Sequence, residues 1–129
     1  MEGRAKVLVI DDEPDLVEMF KIALERQFEV IVALDGEEGV AKARAEKPDA
    51  IVLDIMMPEK DGFTVCKELK GDPQTASTPI LILTGVAELF GRTRYSKLSG
   101  MEIEAEDFMS KPVDPNELVR RVASLLKKN

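Results

Sequence analysis

The sequence predicts an α/β protein: a parallel sheet with helices on both faces, in one domain. Short apolar runs alternate with segments of helical spacing along all 129 residues. The runs Val7–Ile10, Val30–Ala33, Ala50–Leu53 and Ile80–Leu83 are apolar at every position, not at every second one. Strands of that kind are covered on both faces, as in a parallel sheet. Phe108–Met109 is a weaker fifth run.

Each run is followed by helical spacing. Leu16, Phe20, Ala23 and Leu24 form a first stripe, led by Asp12 as N-cap and Pro14 in the first turn. Val40, Ala41 and Ala43–Ala45 suit a second helix. Phe63, Cys66 and Leu69 suit the buried stripe of a third. Gly71–Pro79, rich in Pro, Ser and Thr, reads as a loop before the fourth strand. Val86–Glu106 has a weak helical pattern broken by Gly91 and Gly100, and Glu102, Glu104 and Glu106 read as solvated. The last helix has Asp114 as N-cap, Pro115 in the first turn and Glu117 as capping-box acid. Leu118, Val122, Leu125 and Leu126 form its buried stripe, and Lys127 and Lys128 complement its C-terminus.

Composition removes several functions. The net charge of −7 disfavours direct binding to nucleic-acid phosphates, and six scattered aromatics do not make a base-stacking platform. The chain has no His, so a His-dependent triad, a His-ligated metal and a phosphohistidine carrier are excluded. Cys66 is the single Cys, which rules out an internal disulfide and suits a reducing cytoplasm. Met1–Lys6 has no apolar signal region, and no apolar run approaches the roughly 18 residues of a membrane span.

Polar residues end the strands. Asp11 and Asp12 follow the first run, Asp54 the third, Thr84 the fourth and Lys111 the fifth. Ligands of open α/β sheets bind outside the carboxyl ends of the strands, so these residues should share one cleft. Three carboxylates brought together repel one another, and Mg²⁺ relieves that repulsion with oxygen ligands. Lys111 adds positive charge and Thr84 a hydroxyl. Such a set can receive a phosphoryl group, with a carboxylate as nucleophile. Taken singly, Asp12 is a helix cap, Thr84 and Gly85 are turn residues, Lys111 is a surface lysine, and Asp54 is as easily a loop acid. Their joint placement favours the site.

The motifs Asp11-Asp12-Glu13-Pro14, Leu53-Asp54-Ile55-Met56-Met57-Pro58 with Asp61-Gly62, Leu83-Thr84-Gly85, and Asp107-Phe108 before Lys111-Pro112 resemble the receiver domains of two-component response regulators. The resemblance spans the whole chain, residues 1–129, as a single receiver with no output domain in this chain, stand-alone or excised. It implies a flavodoxin-like fold of five strand–helix units with strand order 2-1-3-4-5. It implies Asp54 as phosphoacceptor and Asp11 and Asp12 as the acidic pair holding Mg²⁺, to which Met56 lends its backbone carbonyl. It further implies Thr84 as switch hydroxyl, Phe108 as switch aromatic, Lys111 as phosphoryl-binding lysine, and a cis Lys111–Pro112 peptide. A sensor histidine kinase or phosphotransfer protein would be the donor, a downstream protein the target, and a phosphorylation-dependent dimer one form of output. One departure accompanies the match. The interval from Thr84 to Lys111 is longer than usual, with Glu104-Ala105 where Gly-Ala is common, and the extra length is assigned to Met101–Glu104.

Two other functions compete. The unusual Val86–Glu106 segment would suit a receiver-fold interaction module that is never phosphorylated. An aspartyl-phosphate phosphatase would place a second Asp two positions after its nucleophile, where this chain has Glu13.

Overall fold

The computed structural model describes residues 3–57, 61–85 and 105–127. Five parallel strands form one sheet in the order β2-β1-β3-β4-β5. They are β1 (Lys6–Ile10), β2 (Glu29–Ala33), β3 (Ala50–Asp54), β4 (Ile80–Thr84) and β5 (Asp107–Ser110). The described helices are α1 (Pro14–Leu24), α2 (Gly36–Glu46), α3 (Gly62–Lys70) and α4 (Pro115–Lys127). The helix expected within Val86–Glu106, and the extra length assigned to Met101–Glu104, lie outside the described residues.

The unbroken apolar runs follow from this double coverage. Leu8, Ile10, Ile51, Leu53, Ile80 and Ile82 point to the face that meets α2 and α3. Val7, Val9, Ala50, Val52, Leu81 and Leu83 point to the face that meets α1 and α4. Strand side chains alternate between faces, so a strand covered on both must be apolar throughout. The expected loop Gly71–Pro79 runs as turns between α3 and β4, and Cys66 is a buried core residue with a free thiol.

Four local expectations change. Asp12 does not cap α1. The N-cap is Glu13, which makes no side-chain cap bond, and the carboxylate of Asp11 instead accepts the Glu13 N–H at 3.0 Å. The buried stripe of α1 is Val17, Phe20 and Leu24, while Leu16 and Ala23 are half-buried. In α4, Asp114 accepts the Asn116 N–H at 3.0 Å, as a cap should, but Glu117 is engaged by Arg120 and Arg121 rather than in a capping box. Glu106 is not merely solvated. Its carboxylate pairs with the buried Lys70 at 2.9 Å and accepts the Ile80 N–H at 2.8 Å. Glu102 and Glu104 lie outside the described residues.

Candidate functional site

Strand pairing brings the polar strand ends together. Ile10 is paired with Leu53, so the next residues, Asp11 and the strand-ending Asp54, come side by side. Asp54 is in turn paired with Leu83, and Thr84 with Ser110. The amide of Lys111 donates to the Thr84 carbonyl at 2.9 Å, which delivers the lysine beside the pocket. One carboxylate oxygen from each of Asp11, Asp12 and Asp54 lies within 4.8 Å of the others. The ammonium of Lys111 lies 2.6 Å from Oδ1 of Asp54. Its peptide bond to Pro112 is cis, as expected.

The pocket is costly to fill with charge. Asp11 and Asp54 are 0% and 1% exposed. Oδ2 of Asp11 has no hydrogen-bond partner, and the oxygens of Asp54 have no well-directed one, being met by the Lys111 ammonium and, less directly, by the Met56 amide. Burial raises the Asp11 carboxyl to about 6, against the opposing Glu13 amide and with further help from the Asp54 charge. Burial also raises Asp54 above the ordinary carboxylate range, with the Lys111 contact opposing it. Burial alone would lower Lys111, but the Asp54 carboxylate, aided by Asp11 and Glu13, more than offsets this and holds its pKa above the ordinary lysine value. Unsatisfied, buried, hard oxygens are the donor set that a small divalent cation takes.

The remaining expected residues stand as follows. Thr84 is buried at the end of β4, and its hydroxyl donates to the Gly85 carbonyl at 3.2 Å. Phe108 is half-buried against the α2–α3 face of the core. The Met56 side chain, which follows Asp54 by two positions, is 58% exposed. Gly62 carries a role that the sequence reading did not assign. A Cβ there would lie 2.5 Å from the Asp54 carbonyl oxygen and 2.7 Å from the Ile55 Cα. The signal was the Asp-Gly pair at the start of α3: Asp61 caps the helix by accepting the Thr64 N–H, and Gly62 lets that end sit against the Asp54 backbone.

A doubly wound α/β domain with an acidic pocket and one lysine at its strand ends has the architecture of a receiver domain. The sequence signature of the response regulator receiver domain matches residues 7–123. The chain belongs to that family. It is 45% identical over 125 residues to the alkaline phosphatase synthesis transcriptional regulatory protein PhoP of Bacillus subtilis, covering 96% of this chain and 49% of that protein. Response regulator PleD of Caulobacter vibrioides is 42% identical over 122 residues, covering 94% of this chain and 26% of PleD. The chain thus spans half or less of the length of these relatives. Among solved structures, chemotaxis protein CheY4 of Vibrio cholerae superposes with a TM-score of 0.81 at 32% identity, covering 96% of this chain and 100% of CheY4. The signal receiver domain of a signal transduction histidine kinase from Syntrophus aciditrophicus gives a TM-score of 0.84 at 31% identity, covering 96% of this chain and 91% of that one. Among the described residues, no helix is long and apolar enough to cross a membrane.

Proposed function

We propose that residues 1–129 act as one receiver unit that takes a phosphoryl group on Asp54 and changes conformation to control a partner protein. The observation that carries this reading is the buried pair Asp11–Asp54 with unsatisfied oxygens, closed on one side by Lys111. Such an arrangement is poor for stability and suited to a ligand that brings positive charge and phosphate oxygens.

In the transfer, a carboxylate oxygen of Asp54 attacks the phosphorus of a phosphohistidine on a sensor kinase or phosphotransfer protein. An O–P bond forms as the P–N bond breaks, and the imidazole leaves with the electron pair and takes up a proton. Lys111, 2.6 Å from Asp54, would pair with a phosphoryl oxygen as the acyl phosphate forms. Asp11, Asp12 and Asp54, with the Met56 carbonyl, would hold Mg²⁺, which when bound neutralises charge on the phosphoryl oxygens. The Thr84 hydroxyl would exchange its Gly85 carbonyl for a phosphoryl oxygen, and Phe108 would repack behind it. The output is a shift between two states, bounded by the difference in their interaction with the phosphoryl group.

Intact-mass spectrometry after incubation with Mg²⁺ and a small acyl phosphate tests the reading. One Mg²⁺-dependent phosphoryl adduct is expected on the wild type and none on Asp54→Asn. An adduct that persists on the variant, or a folded wild type that takes none, overturns it.

A further inference from the structure

We infer that Glu106, held by Lys70, is a positioning residue for Lys111: it sets the register of β5 against β4 from the end opposite the pocket. The inference rests on the reading of Lys111 as the phosphoryl-binding group.

The β4–β5 ladder is short and framed by two backbone bonds. At one end the Glu106 amide donates to the Ile80 carbonyl at 2.9 Å, and at the other the Lys111 amide donates to the Thr84 carbonyl at 2.9 Å. Between them β5 has four residues, of which Met109 alone is fully buried. Phe108 packs on one core face and Met109 on the other, so apolar burial favours this register, but through two side chains only. A slip of one residue would turn every β5 side chain to the other face and carry Lys111 out of the pocket.

Polar contacts supply what the apolar ones do not. The Ile80 N–H, at the start of β4, is accepted by Oε1 of Glu106 at 2.8 Å. Glu106 thus grips Ile80 twice, with its amide on the carbonyl and its carboxylate on the N–H. The other carboxylate oxygen is held by Lys70, whose side chain is only 6% exposed. That ammonium has three donors and uses them on the Ala76 carbonyl at 3.2 Å, the Thr78 carbonyl at 2.8 Å and Glu106 at 2.9 Å. The α3–β4 turn, β4 and β5 are tied at one point. On the opposite face of β5, Asp107 is gripped by Arg121 of α4 at 3.0 and 3.1 Å. Glu106, just before β5, and Asp107, its first residue, therefore tie the strand to α3 on one side of the sheet and α4 on the other. Glu106 differs from Asp107 in that it also bonds the neighbouring strand, which is what fixes register.

The test separates anchoring from general stability. Glu106→Ala removes the acceptor, whereas Glu106→Gln keeps an oxygen for the Ile80 N–H. Native-state hydrogen exchange of the Lys111 amide, read by NMR without Mg²⁺ or phosphodonor, reports the far end of the ladder. We expect it to exchange on the order of tenfold faster in Glu106→Ala, with β1 and β3 amides unchanged, and to recover in part in Glu106→Gln, which keeps the Ile80 bond and loses the Lys70 pair. In parallel, acyl-phosphate labelling should slow by a similar factor in Glu106→Ala, while Mg²⁺ affinity holds, because Lys111 is not one of the clustered carboxylates. Unchanged Lys111 exchange in Glu106→Ala, or no recovery in Glu106→Gln, overturns the inference. Should Glu106→Ala fail to fold, Glu106→Asn, too short by one carbon to span the same gap, takes its place with the same two outcomes. Wild-type protein that accepts no phosphoryl group would sink the proposed function instead, and the exchange data would still decide the role of Glu106.

Discussion

Asp11 has no exposed surface and one unpaired oxygen, and its carboxyl is pushed up to about 6 from an ordinary 3.8. The folded protein therefore holds this proton more tightly than the unfolded chain does. The stability that comes with the proton is full below the unfolded value and is lost as pH rises through about 6. Asp54, raised by the same burial, acts in the same direction. The half-buried Glu38, Asp72 and Glu117 are lowered and work the other way, so a single-residue comparison is needed to isolate Asp11. Asp11→Asn keeps an oxygen for the Glu13 N–H and puts an amide in place of the charge. The metal-free variant should be more stable than wild type at pH 7.5, by roughly 1–3 kcal/mol, with the gap closing near pH 4. Added Mg²⁺ should raise the melting temperature of the wild type at pH 7.5 and leave the variant unmoved. Urea denaturation at the two pH values, with and without Mg²⁺, checks both statements; equal stabilities at pH 7.5 would count against them.

At the scale of elements, α3 governs how the β3 end is presented. The Gly62 amide donates to the Ile55 carbonyl at 3.0 Å, and the Ile55 amide donates to the Leu83 carbonyl at 3.1 Å. The backbone beside Gly62 is thus tied to the sheet and cannot swing away from an added methyl. Replacing Gly by Ala in an unobstructed helix gains about 1 kcal/mol. Here the methyl would meet backbone at 2.5 and 2.7 Å, and overpacking of this sort costs about 1–3 kcal/mol. Sterics win, so Gly62→Ala should lower the melting temperature. Since the displaced backbone carries Asp54, Mg²⁺ affinity should fall with it. A thermal melt and an Mg²⁺ titration read the two effects; a variant with wild-type values in both would show that α3 does not constrain the pocket.

Across the whole molecule, Lys111 joins the pocket to the far edge of the sheet. Its ammonium meets Asp54 of β3, its amide holds Thr84 of β4, and β5, which it follows, is docked on α4 through Arg121. Lys111→Ala removes the charge and leaves the amide bond to Thr84 in place. Mg²⁺ should bind the variant as tightly as the wild type or tighter, because a cation 2.6 Å from Asp54 has been removed. The phosphorylated variant should nonetheless fail to move α4. NMR shift changes on phosphodonor treatment, extending into α4 in the wild type, should stop at the pocket in Lys111→Ala. Wild-type changes throughout α4 in the variant would place the signal on another route.

Much of this molecule could be read from its sequence, because the governing patterns are local. A strand covered on both faces is apolar at every position, and Val7–Ile10, Ala50–Leu53 and Ile80–Leu83 state that directly. The polar residues that interrupt the runs mark the carboxyl edge, and parallel topology sends that edge to one place. Asp11, Asp54, Thr84 and Lys111 were therefore legible before any coordinates. Tertiary structure decided what depends on partners far along the chain. The sequence left open which acid serves the start of α1, and the buried Asp11 at the end of β1 takes the Glu13 N–H. Glu106 is exposed, as its sequence suggests, but its pairing was hidden because Lys70 lies 36 positions away and becomes its neighbour only once α3 packs on the sheet. Gly62 shows its purpose only against the backbone of Asp54 and Ile55. Periodicity reports which face a residue turns to the core, whereas the hydrogen bonds and close approaches that place a charge are formed between elements, and they exist only after those elements meet.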